Sequence, residues 1–323
     1  MITMKEKISA IIVWALLMVG GFELINLLML AGIIDVFIEN MLVTIGINII
    51  LATGLNLVIG FAGQFSLGHA GFMAIGAYAT GIITLEIPTI GGFYTSLIVG
   101  ILIALILAII IGIPTFRLRG DYLAIATMGI SEILRLIINN LKITNGAAGL
   151  YNIPQFATWP IIYIAVCITT IITVNLINSK AGRAIMSVRD NEIAAESMGV
   201  NTMKWKLVAF SVGAMTAAVG GSMYASYLQT ISPNNFGIMQ SIAILIIVVL
   251  GGSGSITGTF LAATILGILD TFLQSFGALR MVIYALVLIV MMIVRPSGFL
   301  GQYEISISTI ISNLKRKRGK VHG

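Results

Sequence analysis

Residues 178–206, NSKAGRAIMSVRDNEIAAESMGVNTMKWK, are the only long polar stretch between two apolar blocks of this sequence. We call this stretch the polar segment. It carries five lysines and arginines against three acidic residues. Because short loops rich in Lys and Arg resist translocation, the polar segment is predicted to lie in the cytosol. The apolar blocks on either side are each long enough to cross about 30 Å of hydrocarbon as helices.

The composition of the whole chain also indicates a membrane protein. Of its 323 residues, 58% are hydrophobic and 9% are charged, and the mean hydropathy is +1.06. A soluble domain carries about 25% charged residues. Helices are expected, because backbone groups in lipid must be satisfied within the segment and the alternation of a membrane barrel is absent. The sequence therefore predicts an all-α polytopic membrane protein.

About ten transmembrane helices are predicted, with both termini in the cytosol. This arrangement places every strong Lys/Arg cluster on the cytosolic side. The first apolar run, residues 8–34, has no small-residue cleavage site and is predicted to be an uncleaved helix. Residues 1–312 are predicted to form a single transmembrane domain that includes the polar segment. Residues 313–323 are predicted to be a basic cytosolic tail.

The remaining composition excludes several other classes. The net charge of +6 does not indicate nucleic-acid binding, because membrane orientation explains cations in short loops and in the tail. Cys167 is the only cysteine, so an internal disulfide cannot form. Two histidines are too few for a typical metal cluster. No cofactor or metal is therefore expected in this chain.

A short helix is predicted within the polar segment, over residues 190–199. Asp190 can cap its start, and Gly199 can end it in the left-handed conformation. Ala194 and Ala195 leave a smooth surface that another protein could approach closely. A solvated connector is the alternative interpretation of this stretch.

Charged side chains flank the predicted helix. Arg189 and Glu192 are three residues apart, a spacing that allows them to pair on the helix surface. Arg183 lies further towards the N terminus in the same basic stretch.

Two glycine-rich breaks interrupt the apolar blocks, GFAGQFSLGHAGF from Gly60 to Phe72 and GGSGSITGTF from Gly251 to Phe260. We call them the first and the second break. The first break places three polar residues at membrane depth: Gln64, Ser66 and His69. Irregular polar backbone is tolerated there only where protein buries it or it lines a watery cavity. These three residues are candidates for a transport pathway or gate, and the alternative for His69 is a ring that satisfies a neighbouring carbonyl.

Ionisable residues also lie within the predicted fifth helix, on one stripe formed by Asp121, Glu132, Arg135 and Asn139. A charge at the bilayer centre costs about 2.5–3.5 kcal/mol on insertion scales. Glu132 and Arg135 are therefore predicted to pair, three residues apart, and to face the bundle interior. The pair is either structural or part of the pathway or its gate.

Asp270, on the predicted ninth helix, presents a similar case. Its predicted partner is Arg280 or Arg135, and Asp270 is a further candidate pathway or gate residue.

Several stretches resemble the permease subunits of ABC importers. AGRAIMSVRDNEIAAESMGVN resembles their cytosolic coupling loop, in which an Ala-Ala pair precedes a Gly by four residues. Here these residues are Ala194, Ala195 and Gly199, and the usual acidic residue stands one place further back, at Glu192. The resemblance implies contact with an ATPase for seven residues: Arg183, Arg189, Asp190, Glu192, Ala194, Ala195 and Gly199.

Three further stretches, FAGQFSLGHAGFMAIGAYATG, GDYLAIATMGISEILRLIINN and SIAILIIVVLGGSGSITG, resemble permeases of the branched-chain amino acid importer family, LivM type. Together with the polar segment, the resemblance covers about residues 41–300. It implies an inner-membrane permease subunit that works with a second related permease, two ABC ATPase subunits and an external solute-binding protein. The motifs are less specific to the substrate, because related permeases serve urea and short amides.

The chain lacks the G-x-x-x-x-G-K-[ST] phosphate loop, so ATP hydrolysis is expected on partner subunits and not here. It also lacks the G-x-S-x-G and H-E-x-x-H motifs, which disfavours a membrane enzyme. A secondary transporter driven by an ion gradient is the other alternative. It would need an acidic ion site, for which Glu132 and Asp270 are the candidates.

Overall fold

The computed structural model describes residues 18–118, 120–273, 277, 279–294 and 298–301. Within these residues the chain is helical and has no β-strand. The long helices are α1 Met18–Leu30, α2 Val36–Asn56, α3 His69–Glu86, α4 Ile90–Thr115, α5 Asp121–Asn140, α6 Trp159–Asn178, α9 Thr202–Leu228, α10 Ile238–Gly251, α11 Ile256–Leu273 and α12 Leu279–Val294. The polar segment contributes the short helices α7 Lys180–Asp190 and α8 Glu192–Ser197.

The chain divides into two compact units. The larger unit comprises residues 41–302. The smaller unit comprises residues 1–40 and 303–323, and its described part is α1 with the start of α2. There the Asp35 carboxylate accepts a hydrogen bond from the backbone N–H of Ile38, 3.0 Å away. The predicted basic tail, residues 313–323, lies outside the described residues.

Six helices in the described part are long and apolar enough to cross a membrane. They are Val36–Phe61, Ile90–Thr115, Tyr122–Asn140, Trp159–Asn178, Thr202–Leu228 and Ile256–Leu273. The predicted class, an α-helical protein with several membrane spans, is confirmed. The count of about ten spans and the cytosolic position of both termini stay predictions.

Small residues allow the central helices of the larger unit to pack closely. Ala74 and Ala77 on α3 are buried against the bundle. A Cβ on Gly221 of α9 would overlap the backbone oxygen of Met73, so only glycine permits this approach. The Ser222 hydroxyl donates a hydrogen bond to the Gly76 carbonyl, 3.1 Å away. Close backbone contact of this kind is typical of helix packing in lipid. There the hydrophobic effect does not drive helices together, and small residues allow van der Waals contact between the backbones.

Both predicted breaks are irregular in the structure. The last turn of α2 widens into a π-helical turn, Leu57–Phe61, and the helix α3 begins only at His69. Gly63 has φ +68°, and Gly252 and Gly254 have φ +107° and +92°. These positive angles are accessible to glycine at little cost, which is why the sequence places glycines there.

Candidate functional site

The polar segment is a folded pair of helices with a capping residue before each. The Ser179 hydroxyl accepts a hydrogen bond from the Gly182 N–H at the start of α7. The Asn191 side-chain oxygen accepts one from the Ala194 N–H, at 3.0 Å, and so caps α8. The predicted cap at Asp190 is therefore wrong by one position. Asp190 is the last residue of α7.

The ion pairs of the polar segment also differ from the predicted one. Arg189 contacts the carboxylate of its neighbour Asp190 at 2.8 Å, and it does not pair with Glu192. Glu192 instead accepts a hydrogen bond from the Lys206 ammonium group at 2.6 Å. This second pair joins α8 to the first turns of α9. The helix break at Asn191 turns the Glu192 side chain away from Arg189, which sequence spacing along one continuous helix could not anticipate.

Part of the polar segment packs against the rest of the chain. Ile185 of α7 is 2% exposed and belongs to a hydrophobic cluster with Leu57, in the π-helical turn after α2, and Phe61 of the first break. Ala209 of α9 and Ile256 at the second break belong to the same cluster. Full burial of an isoleucine contributes about 1.5–3 kcal/mol. The polar segment is thus anchored to both breaks.

Arg189 makes the polar connection between the polar segment and the first break. Its guanidinium donates a hydrogen bond from Nη1 to the Gly60 carbonyl oxygen, 3.1 Å away. A Cβ on Gly63 would lie 2.8 Å from the Arg189 Cγ, and one on Gly254 would lie 3.5 Å from Nη1. One arginine side chain therefore contacts the first break and lies beside the second.

The two breaks touch each other next to Arg189. A Cβ on Gly60 would overlap the backbone nitrogen of Gly254. Asn56, which is fully buried, holds the contact together. Its side-chain oxygen accepts a hydrogen bond from the Gly254 N–H at 2.9 Å, and its amide nitrogen donates to the Ser255 carbonyl at 2.9 Å and the Thr259 hydroxyl at 2.8 Å. Asn56 thereby satisfies backbone groups that the irregular second break leaves without helical partners.

All three predicted polar residues of the first break are buried. Neither the oxygen nor the nitrogen of the Gln64 side-chain amide has a hydrogen-bond partner among the described residues. The Ser66 hydroxyl accepts a hydrogen bond from the Gly68 N–H at 3.4 Å. The His69 ring hydrogen-bonds the backbone of Leu51, which agrees with the structural alternative, while its Nε2 has no partner in the described part of the chain.

Side chains from other helices stabilise the irregular backbone of the first break. The Leu67 N–H donates to the Thr127 hydroxyl of α5 at 3.0 Å. The Ala70 N–H, in the first turn of α3, donates to the Ser241 hydroxyl of α10 at 3.1 Å. Helix starts leave such N–H groups unpaired, so these contacts replace a local cap.

The exposed surface at α8 carries apolar residues beside the polar Glu196 and Ser197. Ile193 is 74% exposed, and Met198, which follows the last residue of α8, is 85% exposed. Ala194 is also exposed.

Ala195 is only 6% exposed and packs within its own chain, so the prediction that both alanines form one open surface is wrong for Ala195. Gly199 has φ +81° and ends the helix in the left-handed conformation, as predicted.

Glu132 and Arg135 pair as predicted, with 2.8 Å between Oε2 and Nη2. Their side chains are 32% and 24% exposed, so the pair is half-buried and not enclosed in the bundle. Arg135 also donates a hydrogen bond to the Asn234 side chain at 3.3 Å. Of the other two predicted stripe residues, Asn139 is half-buried, and the side chain of Asp121 lies outside the described part.

Asp270 lies elsewhere, on the wall of a cavity of about 280 Å³ between α2, α3, α9, α10 and α11. Of its two predicted partners, Arg135 contacts Glu132 and Asn234, and the side chain of Arg280 lies outside the described residues. The structure thus brings Arg189 and the two breaks together and leaves Asp270 and the Glu132–Arg135 pair apart from them.

Sequence reasoning missed Asn56, Thr127 and Ser241. Each is a polar residue within an otherwise apolar helix, and this position is the sequence feature that could have identified it. Their roles depend on contacts with distant residues: Asn56 bonds Gly254, 198 positions away.

A bundle of apolar helices with buried polar breaks, joined to a basic segment outside the apolar blocks, defines a multi-pass membrane protein. The sequence model of the family described as branched-chain amino acid transport system/permease component matches residues 37–294. The chain belongs to this family, and it is a multi-pass inner-membrane protein.

Three relatives illustrate the match. The high-affinity branched-chain amino acid transport system permease protein LivM of Escherichia coli is 31% identical over 285 residues, which cover 77% of this chain and 65% of the relative. The high-affinity branched-chain amino acid transport system permease protein LivH of Escherichia coli is 30% identical over 154 residues, which cover 47% of this chain and 48% of LivH. The autoinducer 2 import system permease protein LsrC of an Enterobacter species is 36% identical over 102 residues, 30% of this chain and 29% of LsrC. No solved structure matches the chain.

Proposed function

We propose that this protein is the transmembrane permease subunit of an ATP-driven ABC importer for branched-chain amino acids or closely related small polar solutes. Family membership supports the permease role, and the names of the LivM and LivH relatives support the substrate class. In this proposal the chain forms a single permease domain with about ten transmembrane helices, and both termini and the polar segment lie in the cytosol. The basic excess of the polar segment supports that orientation.

The partners proposed for this subunit are a second related permease, two ABC ATPase subunits and an extracytoplasmic solute-binding protein. The exposed apolar residues Ile193 and Met198 form the surface we assign to the ATPase, with Ala194 between them. Arg183 and Glu192 flank that surface. ATP is bound and hydrolysed on the partner subunits, and this chain contributes no catalytic residue.

The observation that carries the coupling mechanism is the hydrogen bond from Arg189 to the Gly60 carbonyl. When ATP binding closes the ATPase pair, the motion displaces α8 and, through the Glu192–Lys206 and Ile185 contacts, the whole polar segment. Arg189 transmits this displacement to the point where the two breaks touch. Separation of the breaks then opens the path on the cytosolic side, which makes the first break, with Gln64, Ser66 and His69, the proposed gate.

Two other functions would use the same fold. A permease for urea or short amides would have the same partners and differ only in the solute. A secondary transporter would work without an ATPase. The exposed apolar residues of the polar segment would then have no partner protein to contact.

Transport by reconstituted vesicles tests the proposal. Vesicles that contain this chain with a second permease and two ATPase subunits should accumulate leucine only with ATP inside and loaded binding protein outside. Vesicles that contain this chain alone should neither hydrolyse ATP nor accumulate leucine. Accumulation by the chain alone under a proton or sodium gradient would overturn the proposal in favour of a secondary transporter.

A further inference from the structure

We propose that one face of α5 is the surface by which this subunit contacts the second permease. The residues of this face, which we call the α5 face, lie three or four positions apart from turn to turn and so share one side of the helix. They are Ile125, Gly129, Glu132, Ile133 and Leu136. The proposal rests on the function proposed above, because it assigns a contact surface to a partner named there.

The α5 face carries a charge far from both ends of its helix. Of the six described helices that can cross a membrane, α5 alone has a charged residue more than two turns from either end, Glu132. At 1.5 Å per residue, Glu132 lies about 12 Å from the nearer end. It pairs with Arg135 at the edge of the face, yet the two side chains remain 32% and 24% exposed. Because a charge in contact with lipid tails is costly, the α5 face needs a cover other than lipid.

The exposed face of α4 shows the contrasting composition, which suits lipid. Its side chains Ile98, Leu102, Ile106 and Ile110 are between 50% and 60% exposed, and α4 contains no charged residue. Such a face needs no protein partner, because lipid tails are as apolar as its side chains. Ile133 on the α5 face is 56% exposed, so the two faces differ in chemistry and not in exposure.

Gly129 gives the α5 face room for the close approach of another helix. A Cβ at Gly129 would have no atom of the described chain within 4 Å, whereas one at Gly221 of α9 would overlap the Met73 backbone oxygen. Glycine inside a helix is less stable than alanine, and no contact within the described chain requires it at this position. Small residues at the contact let membrane helices approach closely. The glycine therefore points to a neighbouring helix outside this chain.

The charge pattern fits a related subunit that faces α5 across a two-fold axis. Glu132 and Arg135 form an acidic and a basic group one turn apart. Turned by a two-fold rotation, such a pair is complementary to itself, because each acidic group then meets a basic one. Self-complementary surfaces are typical of contacts between equivalent subunits. In the proposed importer the related subunit is the second permease, and a second copy of this chain is the alternative that the experiment separates.

Photo-cross-linking in the assembled importer tests this surface. The photoreactive residue p-benzoylphenylalanine replaces Ile133 of α5 or, as the matched control, Ile106 of α4, because both isoleucines are 56% exposed. After irradiation, the adducts are identified by mass spectrometry. The reactive group at position 133 should form an adduct with the second permease, and the one at position 106 should react with lipid only.

Two variants test the glycine and the charges separately, with membrane abundance measured in each. Gly129→Leu adds a side chain that begins in open space within this chain, so abundance should not change. Co-purification of the second permease should fall about tenfold or more, equivalent to about 1.4 kcal/mol. The double exchange Glu132→Arg with Arg135→Glu keeps an ion pair within the chain but reverses the charges offered to the partner, and it should have the same effect. Ile106→Phe enlarges a side chain on the apolar face of α4 and should leave co-purification unchanged.

The α5 face is not the contact if position 133 forms no adduct with the second permease, reacting only with lipid or with a second copy of this chain. Unchanged co-purification in either α5 variant would overturn the proposal equally. ATP-driven leucine uptake, measured on the same preparations, keeps this proposal apart from the importer function. Uptake without the permease adduct would refute the α5 face while the importer function stands. A permease adduct without ATP-driven uptake would support the α5 face and contradict the importer function.

Discussion

At Gly60, the absence of a side chain lets the two breaks touch. A methyl group there would overlap the Gly254 backbone nitrogen and the Asn56 side-chain oxygen, and backbone cannot move aside as a flexible side chain can. Gly60→Ala should therefore lower the unfolding temperature of the purified protein, with a cost of about 1–3 kcal/mol typical of overpacking. Gly129→Ala is the matched control, because a Cβ at Gly129 has no atom within 4 Å. Equal unfolding temperatures for the two variants would contradict the close contact.

Asn56 acts at the same contact by hydrogen bonding. Asn56→Leu would leave the Gly254 N–H without its acceptor, and an unsatisfied buried donor costs about 1–3 kcal/mol. Because this bond holds the breaks together, the variant should also let leucine leak from preloaded vesicles when ATP is absent. Asn140→Leu, at an exposed asparagine that bonds only within its own helix, should not leak. A leak rate in Asn56→Leu no higher than in that control would mean that the contact does not seal the path.

In the polar segment, residues proposed to contact a partner can be distinguished from residues that pack within the chain. Ala194 and Ala195 are adjacent, yet only Ala194 lies on the exposed side of α8. Ala194→Trp should leave the protein's membrane abundance unchanged and reduce uptake and ATPase stimulation, because it enlarges the proposed ATPase surface. Ala195→Trp should instead lower abundance, because a buried alanine has no room for an indole. The opposite pattern, measured by immunoblot of membranes and by leucine uptake, would place the partner surface on the Ala195 side.

Some features of the polar segment could be predicted from the sequence, and others could not. The basic composition of residues 178–206 and the left-handed Gly199 were predictable, since charge bias and glycine conformation are local properties. The cap moved from Asp190 to Asn191, and Ala195 turned inward, because the chain breaks between α7 and α8 and changes which residues share a face. The glycine-rich sequences also predicted the positions of both breaks. Their contact through Asn56 joins residues 198 positions apart, and no local pattern encodes such a pairing.

At the scale of the whole molecule, the hydrogen bond of Arg189 is proposed to transmit displacement of the polar segment to the transport path. Arg189 is the only residue of α7 or α8 described as donating a hydrogen bond to the first break. Loss of its guanidinium should therefore uncouple ATP hydrolysis from transport, while assembly continues through Ile185 and the exposed apolar residues at α8. Helix packing and ATPase docking are both retained in that variant, so uncoupling can be read separately from misfolding.

The most direct test is leucine uptake and ATP hydrolysis by vesicles that contain the complete importer with Arg189→Ala. Arg117→Ala, an exposed arginine beyond α4, serves as the matched control. We expect Arg189→Ala to assemble and to hydrolyse ATP at its basal rate. Its uptake, and its stimulation by loaded binding protein, should fall about tenfold or more, a coupling loss of about 1.4 kcal/mol. Uptake and stimulated hydrolysis equal to those of Arg117→Ala would show that Arg189 does not couple ATP hydrolysis to transport.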